Sequence, residues 1–428
     1  MLTAMLENRK RISLVDRWDI EQLKRLRKEN RFYCPICRER VYLKLGSKRR
    51  WHFAHQANSD CVSTNETIDH LEGKKQLYEW LRRQKSVEVA LEVYLPFIQR
   101  RPDLLIRYED TLYALEYQCA PIDATVLHQR MSDYERTRIT PIWIFGGDRL
   151  KRQKGQRFSI ETFQWLTARR NDHGEFVLLY YCSKTRTFTF LEQLTPYSPT
   201  RAFASIYERS LSTSTIDTIV HLKKMSALPS DHWLQLKTHW RSRPPSRFPQ
   251  KAELFMQHLL YRRQIPYPLF PIEAGWPSPH YEYIETSPHI WQSFLLLECI
   301  EYQPLHHPFS SELMRSCFQP YIDENVFQLR SFYPRVNWTE AIDGYLQLLC
   351  QFRYLEKVDE RRYKRVRRLV LPGSTDEAVE LDRRYFYNTV IVNQNVNKWR
   401  ESREQTAEKT RRDRYFKDVE FRSDFSER

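Results

Sequence analysis

The sequence predicts a mixed α/β (α+β) protein in which a small metal-stapled module precedes an αβββαβ core and a mainly helical C-terminal region. Its 428 residues exceed the roughly 100–200 residues of one ordinary domain, so two or three units are expected. Hydrophobic residues make up 41% and aromatic residues 14%, which suffices for packed cores and excludes wholesale disorder. Apolar residues also switch between helix and strand spacing along the chain. The predicted units are 1–64, 65–205, 206–394 and a charged tail over 395–428.

The amino-terminal module is predicted to hold a short helix over 19–30 and strand-like pieces over 32–33 and 41–45. These elements cannot build a sufficient core by themselves, since small units depend on disulfides or metals for stability. A bound metal ion is therefore expected to stabilise this module.

Cysteine and histidine residues in this module have the spacing of a zinc site. Structural zinc takes four N or S ligands, commonly two from a C-x-x-C pair and two from about 15–20 residues further on. The predicted ligands are Cys34, Cys37, His55 and Cys61, with His52 as the alternative for the fourth place. A redox pair is disfavoured because no thioredoxin-like βαβ unit surrounds it, whereas two metal-free buried thiols remain an alternative. The expected zinc is structural and noncatalytic.

Positive charge is concentrated near the amino terminus. The chain has a net charge of +15, and residues 21–50 hold 11 Lys and Arg against 3 Glu, a surplus of 8. Aromatic residues interleave with these cations, as they do in a second basic run over 361–368. Polyanion binding is the simplest use of this pattern, and a solvated basic face is the alternative. Predicted DNA contacts in the first run are Lys44, Lys48, Arg49 and Arg50.

Several classes of protein are disfavoured by composition. The 9 glycines form neither G-x-G-x-x-G nor a Walker loop, which argues against an ATPase, a kinase or a Rossmann dehydrogenase. No apolar run approaches the roughly 18 residues of a membrane span, and the first residues lack the apolar region of a secretory signal. The 8 irregularly spaced cysteines do not resemble a disulfide framework. A soluble, cytoplasmic protein is expected.

The central unit shows helix and strand periodicities in the order αβββαβ. Ser63-x-x-Glu66 has the form of a capping box at the start of its first helix. The predicted elements are a helix over 66–84, strands over 87–95, 103–108 and 112–118, a helix over 125–138, a strand over 141–145 and a hairpin over 177–182 and 185–191.

An acidic pair is predicted on two neighbouring strands of this core. Asp103 enters one strand, and Glu116 shares a face of the next with Gln118 because alternate residues point the same way. Asp103 and Glu116 should then lie side by side, and their mutual repulsion is costly unless a divalent cation such as Mg²⁺ lies between them. Two ordinary solvent-facing acids are the alternative.

The last region is set off by proline-rich stretches over 241–249 and 265–271. Within it, a helix over 338–352 leads into β-like pieces over 354–358 and 363–370. A helix followed by a basic hairpin predicts a winged-helix-like element. The charged tail has few aliphatic residues and is expected to be an extension outside the packed units.

An Asp followed by Glu-x-Gln on the next strand, within an αβββαβ unit, resembles the PD-(D/E)xK nuclease superfamily. More closely, the chain resembles the competence protein CoiA family, bacterial proteins associated with recombination of DNA taken up in transformation. The resemblance covers residues 1–205. It is carried by Phe32-Tyr-Cys-Pro-Ile-Cys37, Lys44, His52-Phe-Ala-His55, Glu66, His70, Lys74, Arg101-Pro-Asp103, Glu116-Tyr-Gln118, Arg130, Tyr134 and Trp143.

The resemblance implies a restriction-endonuclease-like core that acts as a Mg²⁺- or Mn²⁺-dependent deoxyribonuclease on incoming single-stranded or branched DNA. Asp103 and Glu116 would bind the metal and Gln118 would position the attacking water. Gln118 stands where the superfamily usually has Lys, and a Gln can orient a water molecule but supplies no charge. Recombination proteins are further partners that this interpretation allows.

A polar stripe on the first core helix offers a substitute for the missing charge: Glu66, His70 and Lys74 are spaced i, i+4 and i+8. Structural roles are the alternatives: Glu66 could cap the helix, and His70 and Lys74 could lie on its solvated face. Arg101, Arg130 and Tyr134 are expected to meet DNA phosphates, although Arg130 and Tyr134 could equally pack inside the fold.

Two functions of other classes remain alternatives. One is a noncatalytic recombination mediator that uses an inactive nuclease fold as a DNA or protein platform. The other is a regulator that reads duplex sequence through the zinc module and the winged-helix-like element.

Overall fold

The computed structural model describes residues 1–46, 51–56, 59, 61, 67–225, 231–243 and 246–387. The described residues form two compact units: those within Met1–Leu228 and Leu329–Asn337 belong to the first, and those within Pro229–Gln328 and from Trp338 to residue 387 belong to the second. Among the described residues, no helix combines the length and apolarity that crossing a membrane requires.

The described elements of the first unit are mostly strands, in runs of two to four separated by single helices. In chain order they are β1 Thr3–Leu6, β2 Arg11–Ser13, α1 Ile20–Glu29, β3 Phe32–Tyr33, β4 Arg40–Lys44, β5 His52–His55, α2 Ile68–Arg82, β6 Val87–Leu91, β7 Leu104–Tyr108, β8 Thr111–Gln118, α3 Ala124–Arg136, β9 Ile139–Gly146, β10 Lys151–Arg152, β11 Arg157–Ser159, α4 Thr162–Leu166, β12 Arg169–Arg170, β13 Phe176–Cys182, β14 Thr187–Ser198, β15 Arg201–Ser210 and α5 Ile216–Val220.

The amino-terminal module is a five-stranded sheet in the order β2-β1-β3-β4-β5. Helix α1 begins after Asp19, whose side chain accepts a hydrogen bond from the backbone N–H of Gln22, as expected of an N-cap. Strand β4 alternates between buried and exposed residues, with Val41 and Leu43 inward. The helix and both strand pieces predicted for this module are therefore present.

The larger sheet has the order β10-β11-β15-β14-β13-β9-β8-β7-β6, with β12 paired to β13. Its elements α2-β6-β7-β8-α3-β9 follow the predicted αβββαβ order. Strands β7 and β8 are antiparallel, with Leu104 opposite Leu115, and β8 and β9 are parallel. Strand β6 ends before the predicted residue 95 because Glu92 adopts a φ of 51°, which breaks extended structure.

Two boundaries differ from the predicted ones. Helix α2 is capped by Thr67, which accepts a hydrogen bond from the N–H of His70; the predicted capping pair Ser63 and Glu66 lies outside the described residues. The predicted domain end at 205 falls inside β15, and Trp80 of α2 donates to the carbonyl of Ser214. The packed unit therefore continues through α5.

The second unit is mainly helical and has one small sheet. Its described elements are α6 His232–Ser242, α7 Lys251–Arg262, α8 Pro288–Phe294, which continues as a π-helix over Leu295–Ile300, β16 Pro308–Ser310, α9 Ser311–Asp323, α10 Thr339–Gln351, β17 Leu355–Lys357, β18 Arg362–Arg365 and α11 Thr375–Tyr385.

The helix and basic hairpin predicted near the carboxyl end are present as α10 and the β17–β18 pair, and β16 completes a sheet in the order β16-β18-β17. Helix α10 is enclosed on most sides: a Cβ on Gly344 would lie 2.0 Å from the carbonyl oxygen of Pro279. Its exposed residues are Glu340, Gln347 and Gln351. Because none of these is basic, α10 offers no cationic face to a DNA groove, which weighs against the sequence-reading regulator.

Candidate metal centre and acidic centre

The predicted zinc ligands Cys34, Cys37, His55 and Cys61 lie together, with all four ligand atoms within 4.8 Å of one another. The Sγ atoms of Cys34 and Cys61 are 3.9 Å apart, and Cys37 Sγ lies 3.3 Å from His55 Nε2. A tetrahedral zinc with ordinary bond lengths requires about 3.8 Å between two sulfurs and about 3.6 Å between sulfur and nitrogen. The donor set and its spacing thus fit a structural zinc ion.

Strand geometry selects between the two histidines. His52 and His55 both belong to β5, and an odd spacing places them on opposite faces of the strand. His55 joins the cysteines, whereas the alternative ligand His52 lies opposite Lys44 in the sheet. Burial raises the pKa of the Cys34 thiol and raises that of Cys37 to about 12. Zinc binding would supply the positive charge that favours thiolates there.

Asp103 is held by helix α2 and by the backbone of β8. Its Oδ1 lies 3.1 Å from His70 Nε2 and 3.1 Å from Lys74 Nζ, and its Oδ2 accepts a hydrogen bond of 2.9 Å from the N–H of Tyr117. Burial alone would raise the pKa of Asp103, but Lys74 and His70 hold it well below its usual range. Asp103 is therefore an ionised carboxylate whose two oxygens both have protein partners.

Lys74 also binds a second carboxylate, on Glu92, which sequence reasoning missed. The Lys74 side chain is 0% exposed, and its Nζ lies 2.7 Å from Glu92 Oε1. Glu92 further accepts hydrogen bonds from the N–H groups of Leu2 and Thr3 and from the Thr3 hydroxyl. Against the effect of burial, Lys74 and Arg101 keep the pKa of Glu92 well below its usual range. The sequence signal that could have identified Glu92 is its position as an acid within an otherwise largely apolar stretch.

Glu116 is bound from the other face of the sheet. Its strand neighbour Tyr117 packs on Gly73 of α2, so alternation directs Glu116 away from that helix. There its Oε1 lies 2.5 Å from Arg130 Nη2 and accepts a hydrogen bond of 2.5 Å from the Tyr134 hydroxyl. Burial raises the pKa of Glu116, Arg130 opposes this shift, and the nearby Asp103 adds to it; the net change is upward.

Continued by one position beyond the Leu104–Leu115 pair, the sheet register would bring Asp103 opposite Glu116. Their carboxylates nevertheless bind cations supplied by different helices, Lys74 from α2 and Arg130 from α3. A divalent cation bridging the two acids would meet positive charge within about 3 Å of the same oxygens, which disfavours it. The described arrangement thus does not fit a bridging Mg²⁺ or Mn²⁺ ion.

The remaining predicted catalytic residues are placed as follows. Gln118, the last residue of β8, donates a hydrogen bond of 2.6 Å from its side-chain amide to the carbonyl of Ala120 in the loop that follows. His70 and Lys74 face Asp103, as a functional stripe requires. Glu66 lies outside the described residues.

Contacts inside the fold argue against three of the predicted DNA contacts. The Arg101 side chain is 6% exposed and lies 3.6 Å from Glu92, while Arg130 and Tyr134 are both occupied with Glu116. Lys44 is exposed on β4, and its contact with DNA stays a prediction. Lys48, Arg49 and Arg50 lie outside the described residues.

Comparison with known proteins agrees with this architecture. Three family models match in succession: the competence protein CoiA N-terminal domain over residues 15–64, its nuclease-like domain over 66–224 and its C-terminal domain over 228–379. The competence protein CoiA of Bacillus subtilis (strain 168) is 29% identical over 340 residues, which cover 78% of this chain and 90% of that protein. With all three domains present in order, the chain belongs to the competence protein CoiA family.

Proposed function

We propose that this chain binds DNA during competence and that its nuclease-like domain serves as a noncatalytic platform. Family membership supports the role in competence. The amino-terminal basic segment supports the choice of DNA: Lys24, Arg25, Arg27 and Lys28 of α1 are all exposed. Clustered exposed cations attract phosphates and release counterions on binding.

The occupation of the acidic centre by buried protein cations is the observation that carries the noncatalytic part of this proposal. Metal-dependent phosphodiester cleavage needs carboxylate oxygens that can hold the ion. Here Lys74 binds Asp103 at 3.1 Å and Arg130 binds Glu116 at 2.5 Å. The charge that a metal would provide is already present in the fold.

The second candidate is a Mg²⁺- or Mn²⁺-dependent deoxyribonuclease acting at the same centre. One observation favours it: Asp103 and Glu116 remain close enough for the charge of Asp103 to raise the pKa of Glu116. In that case a conformational change would have to release both carboxylates from Lys74 and Arg130.

One experiment separates these candidates. The full chain is incubated with single-stranded, duplex and branched DNA, with Mg²⁺ or Mn²⁺, and both binding and cleavage are measured. We expect binding that weakens steeply with salt and no metal-dependent cleavage, with Asp103→Asn and Glu116→Gln binding DNA as the wild type does. Gln118→Lys restores the usual superfamily charge and serves as a gain-of-function probe. Wild-type cleavage that either acidic variant abolishes would establish the second candidate instead.

A further inference from the structure

The outer face of β4 presents an aromatic ring between two cations. Arg40, Tyr42 and Lys44 are exposed, whereas the alternating residues Val41 and Leu43 are buried. The Arg40 guanidinium carbon lies 5.2 Å from the centroid of the Tyr42 ring, and Lys44 Nζ lies 5.7 Å from it. Successive outward residues on a strand are about 6.6 Å apart, so the cations flank the ring along the strand.

The ring is accessible from the side of the neighbouring strand. Ala54 of β5 lies directly opposite Tyr42, and its methyl group is too small to cover a tyrosine. Tyr42 is 37% exposed, as expected on the solvated face of a sheet whose other face is packed. An exposed aromatic ring at the centre of a cationic strip is typical of a surface on which a planar ligand stacks.

We propose that Arg40, Tyr42 and Lys44 form a single-strand binding strip, in which a DNA base stacks on Tyr42 and the adjoining phosphates meet Arg40 and Lys44. This inference rests on the proposed DNA binding and adds the substrate class. Bases of a duplex are covered by their neighbours, whereas those of a single strand offer a free π-face. On binding, the long exposed cations would exchange their contact with the ring for contacts with phosphates.

The charge of the surrounding module agrees with this ligand. Residues 21–50 carry a surplus of 8 positive charges, and His52 lies opposite Lys44 at the edge of the strip. A neutral planar ligand would gain from the ring alone. A polyanion with planar bases gains from both the ring and the cations, which is why single-stranded DNA is the favoured occupant.

The test is equilibrium binding of labelled single-stranded oligonucleotides and a matched duplex to the full chain. Tyr42→Ala should weaken single-strand affinity by about 5- to 150-fold, the range that corresponds to one stacked base, and leave duplex affinity nearly unchanged. Tyr42→Phe keeps the ring and should retain affinity. The double variant Arg40→Gln, Lys44→Gln should reduce the salt slope on single strands by about 1.4, since each lost phosphate contact removes about 0.7.

Tyr261→Ala is the matched control, because Tyr261 is 84% exposed and lies on α7 of the second unit; it should bind like the wild type. If the wild type binds single strands and Tyr42→Ala binds them equally well, the strip is refuted while the proposed DNA binding stands. If the wild type binds no DNA even at low salt, both proposals fail. An equal loss on duplex and single strands would also refute base stacking.

Discussion

Replacing Lys74 by Met is the most direct perturbation of the acidic centre. The two side chains are similar in length, but Met lacks the ammonium group that bonds Glu92 at 2.7 Å and Asp103 at 3.1 Å. Both carboxylates are buried, at 2% and 9% exposure, so water cannot replace the lost partner. Removing one member of a buried ion pair typically costs about 3–5 kcal/mol.

Lys74→Met should lower the free energy of unfolding by about 3 kcal/mol, the lower end of that range, because both carboxylates keep other hydrogen-bond donors. Glu92 retains the N–H groups of Leu2 and Thr3, and Asp103 retains that of Tyr117. Lys75→Met is the control on the same helix, since Lys75 pairs with Glu79 at 3.4 Å near the surface. Such an i, i+4 pair contributes only about 0.3–0.5 kcal/mol.

The assay is urea unfolding monitored by hydrogen exchange of peptides from the first unit. Peptides of that unit are measured separately because a chain with two compact units is not expected to unfold in one step. If Lys74→Met lowers the free energy of unfolding by less than about 1 kcal/mol, or by no more than Lys75→Met does, the reasoning is refuted.

The pH dependence of the free energy of unfolding gives a second check. The pKa values of Asp103 and Glu92 are lowered in the folded state, so their contribution is present above the unfolded values of about 4 and is lost in stronger acid. The difference between wild type and Lys74→Met should shrink accordingly.

Two further predictions concern the metal centre and the second carboxylate. Metal analysis of protein purified without added metal should find about one tightly held zinc per chain, and chelation should unfold the amino-terminal module. If the double variant Cys34→Ser, Cys37→Ser still holds one equivalent of zinc, the predicted ligand set is wrong. Arg130→Met should raise the pKa of Glu116 further, so this variant should lose stability relative to the wild type as pH rises from about 5 to 8. Adding Glu116→Gln should recover that loss, and a double variant no more stable than Arg130→Met would count against it.

The elements of the core and the zinc ligands were predictable from the sequence because their signals are local. Alternating residues in β4 and the helical spacing in α2 report burial within a few positions. The Cys34 and Cys37 pair and His55 report ligand chemistry through spacing alone. The described elements occur in the predicted order, and the four predicted ligand side chains lie together in an arrangement compatible with structural zinc, for this reason.

The partners of the carboxylates were not predictable in the same way because they depend on packing between distant segments. Arg101 precedes a strand and resembles an exposed cation in sequence, yet its side chain lies against Glu92. Glu92 in turn binds Leu2 and Thr3, 90 and 89 positions away. Charge spacing along one helix could place Lys74 near Asp103 but could not show that another buried acid shares it.

Glu92 also links the amino-terminal module to the acidic centre within the first unit. Its carboxylate holds the start of β1 through Leu2 and Thr3, and the amino group of Met1 donates to the carbonyl of Phe53 on β5, the strand that carries His55. The same carboxylate binds Lys74, which binds Asp103. Through Lys74, the hydrogen bonds of Glu92 therefore join the amino-terminal module to the carboxylate of Asp103 by contacts between residues far apart in the sequence.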